Sequence, residues 1–378
     1  MCEARVRKNG RKKSAFHSIF TDNHLILQKW ICTRGICEWQ STQTVKSAVG
    51  EKVSPELLKV QAELGAKNTY RKSSDMLRLM VGVKRKINNH NRVHKTTNRI
   101  GENVEKLRIE QILEGQVKAD PATEIVLSVD GGHIHDADNP GHNFEAMVAK
   151  IFKPENIVPI SKGKNAIKEK HCVGSAKDDE QETMKWRVHE ACIREGLTER
   201  TTMVALADGA KNCWNIINSL MPLCFSLMCI LDWFHIGKYA QNLKSQLPSQ
   251  YQNFIDAAKT ELWYGRSNSA LAILEKFQEE LKSDDYKKKV ENFSTYIKNN
   301  VEYIVDYSKR DKDGLIYTSH IAESTVEHYI NQRFKKKQKM QWKRKNAHSV
   351  LQVRASIVDK SWDAIWKNSA NELFKCCA

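Results

Sequence analysis

The stretch TTMVALADGAKNCWNIINSLMPLCFSLMCILD (residues 201–232) decides the fold class. It opens with a short apolar run ending at Asp208, passes through a segment of helical spacing, and closes with a second apolar run ending at Asp232. Runs of this length and composition suit strands buried on both faces, and parallel neighbours need a crossover helix between them, here residues 211–221. Upstream, residues 178–196 carry Met184, Trp186, Val188, Cys192 and Ile193 at amphipathic helical spacing, and KHCVGSA (residues 170–176) predicts another strand. Earlier still, EIVLSVD (residues 124–130) and NFEAMVAKIF (residues 143–152) flank a Gly-, Asn- and Pro-rich turn and predict a hairpin, with Asp130 ending its first strand and His133, His135, Asp136, Asp138 and His142 on the turn. Downstream, WFHIGKYAQNLKSQL (residues 233–247) is helical.

Three strands, then helix, strand, helix, strand and helix imply an α/β unit whose mixed sheet has helices on both faces. That is the order of elements in a ribonuclease H-like core. Residues 249–313 are charged and helical with no strand signal, and read as a helical insertion anchored by Trp263 and Tyr264. The expected organisation is therefore a basic N-terminal region (1–50), a helical region (51–119), a catalytic domain in two pieces (120–248 and 314–360) around the insertion, and a C-terminal tail (361–378). Ser54 and Pro55 cap the first helix of the helical region, and its three short helices, two of them ending in Gly82 and Gly101, are compatible with a helix-turn-helix DNA-binding unit.

Composition narrows the partners. With 61 Lys and Arg against 45 Asp and Glu the net charge is +16, which favours a polyanion such as DNA. The longest nearly continuous apolar run, residues 220–231, is interrupted by Pro222 and Ser226 and is too short to cross a bilayer. The basic first residues do not form a secretory signal, and the scattered cysteines suit buried thiols in a reducing compartment, so a cytoplasmic, nucleoid-associated protein is expected.

Asp130 and Asp208 each end an apolar run and precede a glycine. Carboxylates at the ends of neighbouring strands converge on one crevice, and their oxygens suit Mg2+ or Mn2+, two ions of which serve phosphodiester cleavage. Glu323 and Glu327 are candidates for a third acid. They precede a basic segment, Arg333, Lys335, Lys336, Lys337, Lys339, Lys343, Arg344 and Lys345, which with Trp342 predicts a track for a DNA backbone.

At these residues the chain resembles bacterial insertion-sequence transposases of the DDE type, in the group allied to Mutator-like elements. VDGGHI and LADGA, 78 residues apart (208 minus 130), resemble the segments bearing that family's first two catalytic acids, which implies those roles for Asp130 and Asp208. Asp232-Trp233-Phe234-His235 resembles the family's Cys-or-Asp, two residues, His motif; Asp232 and His235 are expected to support the site. SHIAE resembles a Ser-Gly-x-x-Glu motif with His320 at the Gly position, which implies that Glu323 is the third acid, and the family's following Arg and Trp fall on Arg333 and Trp342. The resemblance implies metal-dependent DNA cleavage and strand transfer at the terminal repeats of a mobile element, by a homodimer or higher oligomer.

Two other readings stand beside it. His133 and His135 are spaced to chelate the zinc of a metallohydrolase, and the acids of a DNA-binding transposase relic would serve only as helix caps. Cys32 and Cys37 resemble half of a zinc ribbon, but without a first pair a structural zinc is not expected.

Overall fold

The computed structural model describes residues 5–33, 40–42, 45–46, 50–82, 84–115, 119–161, 164–319, 327–335 and 340–373. They form two compact units, one of Met1–Leu113 with Ser349–Ala378, the other of Glu114–His348.

The first unit begins with strands where no strand signal was read. β1 (Val6–His17) and β2 (Asp22–Cys32) form a long antiparallel ribbon, and β3 (Gln40–Thr42) pairs with the outer half of β2. Helices α1 (Pro55–Lys67), α2 (Tyr70–Val81) and α3 (His90–Leu113) follow. As expected, the Ser54 side chain accepts from the Leu57 amide at the start of α1. Gly82 ends α2 in the left-handed region at φ 73°. Gly101 does not end α3, which continues to Leu113. A Cβ on Gly101 would lie 2.0 Å from the Ser349 carbonyl oxygen, so this glycine serves a close approach of backbones, a need that looks like a helix stop in sequence. The unit is completed by the later part of α11 (Arg344–Val358) and by α12 (Trp362–Leu373). The expected tail is thus mostly helix, with Trp362 and Trp366 buried, because two indoles on one face need a core to cover them.

The second unit is built on a five-stranded mixed sheet ordered β10-β9-β4-β5-β8. β4 (Glu124–His135) is central, antiparallel to β5 (Asn143–Phe152) and parallel to β9 (Thr202–Ala207); β8 (His171–Ser175) extends one side antiparallel and β10 (Ser226–Leu231) the other parallel. A small hairpin, β6 (Ile157–Ser161) and β7 (Lys164–Ile167), intervenes unannounced by the sequence. α4 (Glu182–Arg194) leads into β9, α5 (Lys211–Asn218) links β9 to β10, and α6 (Trp233–Ser245) follows β10. The predicted helical insertion contains α7 (Gln252–Trp263), α8 (Ser267–Glu280), α9 (Asp284–Asn299) and α10 (Tyr307–Lys312). Ile255, Leu274, Phe277 and Phe293 from these helices join Val126, Leu206 and Ile230 of the sheet in one apolar cluster, which ties the insertion to the strands.

β4 is longer than expected. Its parallel pairing with β9 stops at Val129 opposite Ala207, but pairing with β5 continues to His135, so Asp130 sits mid-strand and His133 and His135 are strand residues with exposed side chains. Gly131 and Gly132 suggested a turn; they are instead strand positions, and a Cβ on Gly131 would meet Glu145 of β5 at 2.4 Å. Trp342 closes this end of β4: its amide donates to His135 O at 2.9 Å, and the Ala137 amide donates to Trp342 O at 2.9 Å.

Candidate active site

The crevice opens where β9 and β10 end and β4 runs on. Asp208 follows the last residue of β9, and its Oδ1 accepts from the Ala210 amide at 2.9 Å. Gly209 turns at φ +97°, with the Asn300 side chain packed where a Cβ would be, which is why glycine follows this acid. The insertion supports the same turn: Tyr296 donates its hydroxyl to Asp208 O at 3.0 Å, Asn300 donates Nδ2 to Tyr296 O at 2.9 Å, and Trp214 donates Nε1 to Asn300 Oδ1 at 3.0 Å. No sequence spacing announces these partners, which lie 88 residues apart in the case of Tyr296 and Asp208.

Asp232 caps α6 and is almost wholly buried. Its Oδ1 accepts from the Phe234 and Ser319 amides, both at 3.0 Å, and its Oδ2 accepts from the Ser319 hydroxyl. Ser319, the first residue of SHIAE, is therefore fastened beside the crevice. His235, in the first turn of α6, places Nε2 3.8 Å from Asp130 Oδ2 and 3.8 Å from Asp232 Oδ2.

These neighbours set the electrostatics of Asp130. Burial pushes its carboxyl up to about 6; His235 opposes the rise, Asp208 and Asp232 reinforce it, and the Gly131 amide, 2.8 Å from Oδ1, opposes it. By strand alternation Glu145 lies on the other face of β4 from Asp130, where its carboxylate accepts from Asn212. Lys150 shares the face of Asp130, is 3 % exposed, and has its pKa lowered to about 8 by burial. Neither Glu145 nor Lys150 was singled out by the sequence, since each reads as an ordinary polar position in a half-alternating strand.

A cleft of about 620 Å3 extends from Asp208 and His235 between α6 and α9, lined by Lys238, Tyr239, Asn292 and Tyr296. Among the described residues no group of three His, Cys, Asp or Glu is arranged to hold a metal. Asp130 and Asp208 remain a pair of hard oxygen donors in mutual repulsion, a donor set that fits a divalent cation. Glu323 and His320 lie outside the described residues, as do Cys37, Lys336, Lys337 and Lys339.

The expected DNA track is changed by burial. Arg333 and Phe334 belong to a π-helical segment, Glu327–Lys335, and are fully buried; Trp342 is 3 % exposed. The Arg333 guanidinium stacks 4.6 Å from the centroid of the Trp342 ring, and Phe334 meets the same ring edge-on. Arg333 and Trp342 are interior residues, because these two side chains turn inward and pack on one another. Lys343 and Lys345 are exposed, and Lys335 and Arg344 partly so. Lys343 pairs with Asp138 at 3.1 Å and Arg344 with Asp178 at 3.6 Å, so part of this charge is already answered within the fold. Cys32 is buried at the end of β2.

Among the described residues no helix is long and apolar enough to cross a membrane. No curated protein matches the sequence. One family does, over residues 46–365, a span that includes the three acids of the crevice and all five strands of the large sheet. The chain belongs to the uncharacterised protein family UPF0236.

Proposed function

We propose that the second unit is a ribonuclease H-like catalytic core and that the chain is a DDE-type transposase, cutting DNA at the ends of a mobile element and joining them to a target. One observation carries the reading: Asp130, Asp208 and Asp232, from the segments that resemble the transposase motifs, meet electrostatically where the parallel pairing of β4, β9 and β10 stops, Asp130 within β4 and the other two just past the ends of β9 and β10. The meander of β4, β5 and β8 followed by two helix-linked parallel strands supports the fold.

Within this proposal Asp130 and Asp208, with Glu323, hold two Mg2+ or Mn2+ ions. When bound, such ions supply Lewis acidity for the attacking oxygen and charge stabilisation for the leaving oxygen of a phosphodiester. The chain's own residues position these donors. Asp232 spends its oxygens on the α6 amide and Ser319, so it orients the helix and the approach to SHIAE rather than offering a free carboxylate. His235 stands 3.8 Å from a carboxylate oxygen of both Asp130 and Asp232, where its ring nitrogen lies between the two acids. Tyr296 and Asn300 hold the Asp208 turn. Water attacks the phosphorus and releases a 3′ hydroxyl; that hydroxyl then attacks target DNA and displaces a new 3′ oxygen. Joining two ends calls for a homodimer or larger assembly on DNA.

The test is cleavage of DNA carrying the element's terminal repeats, with magnesium, by the parent and by Asp130→Ala, Asp208→Ala and Glu323→Ala. All three variants are expected to lose cleavage while still binding DNA. Full cleavage by any one removes that residue from the triad, and binding without cleavage by the parent in either metal refutes the enzymatic reading.

A further inference from the structure

The first unit carries a line of cations that neither the acids nor the motifs explain. β1 contains Arg7, Lys8, Arg11, Lys12 and Lys13, all exposed, and no acid. A bulge between Lys8 and Arg11, with Gly10 at φ 72°, inserts one residue and resets the alternation. Lys8 faces Trp30, while Arg11, Lys13 and His17 face Gln28, Ile26 and Asp22, so the bulge brings Lys8 into the row of Arg11, Lys13 and His17 on one face of the ribbon. Without it Lys8 would fall in line with Lys12. From Lys8 to His17 the row runs roughly 26 Å, about the rise of eight base pairs.

The row ends in a cavity. His17 lines a space of about 230 Å3 together with Lys46, Lys52, Arg92, Arg99 and Glu51. Glu51 is buried and accepts from Arg99, which answers one positive charge. Lys46, Lys52 and Arg92 make no ion pair among the described residues, so the cavity holds an excess of cations around one carboxylate. The mount is firm. Arg85 donates to the carbonyls of Ser18, Ile19 and Thr21 in the ribbon's turn and to Asp22, and the His17 backbone bonds to Lys52 and Ser54 at 2.8 and 2.7 Å.

We propose that this unit binds duplex DNA through its phosphate backbone, along the row Lys8, Arg11, Lys13, with one phosphate held in the cavity by Lys46, Lys52 and Arg92. A row of point charges on a stiff two-stranded ribbon matches the regular charge of a duplex. The terminal cavity fixes where along the backbone the ribbon lies. This assignment is independent of whether the second unit cuts DNA.

The experiment uses the full chain, EDTA, and a random-sequence duplex several helical turns long, with affinity read by fluorescence anisotropy across a salt series. Arg11→Gln with Lys13→Gln, and separately Lys52→Gln with Arg92→Gln, are each expected to weaken binding about tenfold and to make the log–log salt slope shallower by about 1.8, roughly 0.9 for each lost contact. A charge-matched control, Lys282→Gln with Lys298→Gln on the insertion, should leave both nearly unchanged. Unchanged affinity in either test pair, or an equal loss in the control, overturns the proposal. So does tighter binding of an RNA duplex of the same length, or saturable binding of inorganic phosphate in the cavity that Lys52→Gln with Arg92→Gln abolishes while leaving DNA affinity intact. Because no cleavage is measured, failure here is distinct from failure of the triad.

Discussion

Replacing Asp130 by Asn should stabilise the second unit at neutral pH. Burial beside Asp208 and Asp232 pushes the carboxyl up to about 6 in the fold from an ordinary value of 3.8, with His235 and the Gly131 amide in partial compensation. At about 1.36 kcal/mol for each factor of ten in proton affinity, that difference costs the folded state about 3 kcal/mol once the group is ionised. The sign follows from the proton count. Between 3.8 and about 6 the fold binds a proton that the unfolded chain has released, so stability falls as pH rises through this window and the penalty is complete above it. Thermal unfolding of parent and Asp130→Asn, followed from pH 4 to 8, should show the variant melting higher at pH 7 by about 6–12 °C if the whole penalty is relieved. The gap should narrow below pH 6 and vanish near 4. Magnesium should raise the parent's melting temperature at pH 7 and leave the variant's almost unmoved. Equal stability at pH 7, or a gap that persists undiminished at pH 4, refutes the account of a repulsive, partly desolvated acid cluster.

Other changes probe the supports. Tyr296→Phe removes the hydroxyl from the Asp208 carbonyl and should cost about 1 kcal/mol in denaturant unfolding, with slower DNA cleavage and unaltered DNA binding. Arg333→Met should destabilise the fold by about 2 kcal/mol yet leave the salt slope of DNA binding unchanged, since the guanidinium is buried against Trp342; a shallower slope would return Arg333 to the DNA surface. Gly101→Ala should cost about 1–3 kcal/mol through collision with the Ser349 carbonyl, whereas a neutral result would show that α3 can move away without penalty.

Apart from the β6–β7 hairpin, the strands of the second unit and the helices α4 to α6 were legible because each is short, strongly apolar or strongly periodic, and bounded by an acid, a glycine or a charged run. Asp208 and Asp232 could be placed at strand ends for that reason. Asp130 was harder: a glycine pair inside a strand has the same spelling as a glycine pair in a turn, and only the cross-strand neighbour Glu145 distinguishes them. The β1–β2 ribbon escaped notice because its residues are mostly exposed and polar, so hydrophobic alternation is weak where both faces meet water. Arg333 misled for the opposite reason. A cation among lysines reads as surface, and its burial depends on an aromatic partner nine residues further on, beyond the irregular helical segment that carries it.

The backbone rung that joins Trp342 to His135 and Ala137 also has a bearing on how the protein is made. β4 can pair with β5 early, since the two are neighbours in the chain, but the tip of β4 gains its last partner only after some two hundred further residues have been synthesised. Until then that tip is an open strand edge beside the crevice, a template for pairing with other chains. A translation product that stops short of Trp342 keeps the edge permanently, and such products should aggregate where the longer chain does not.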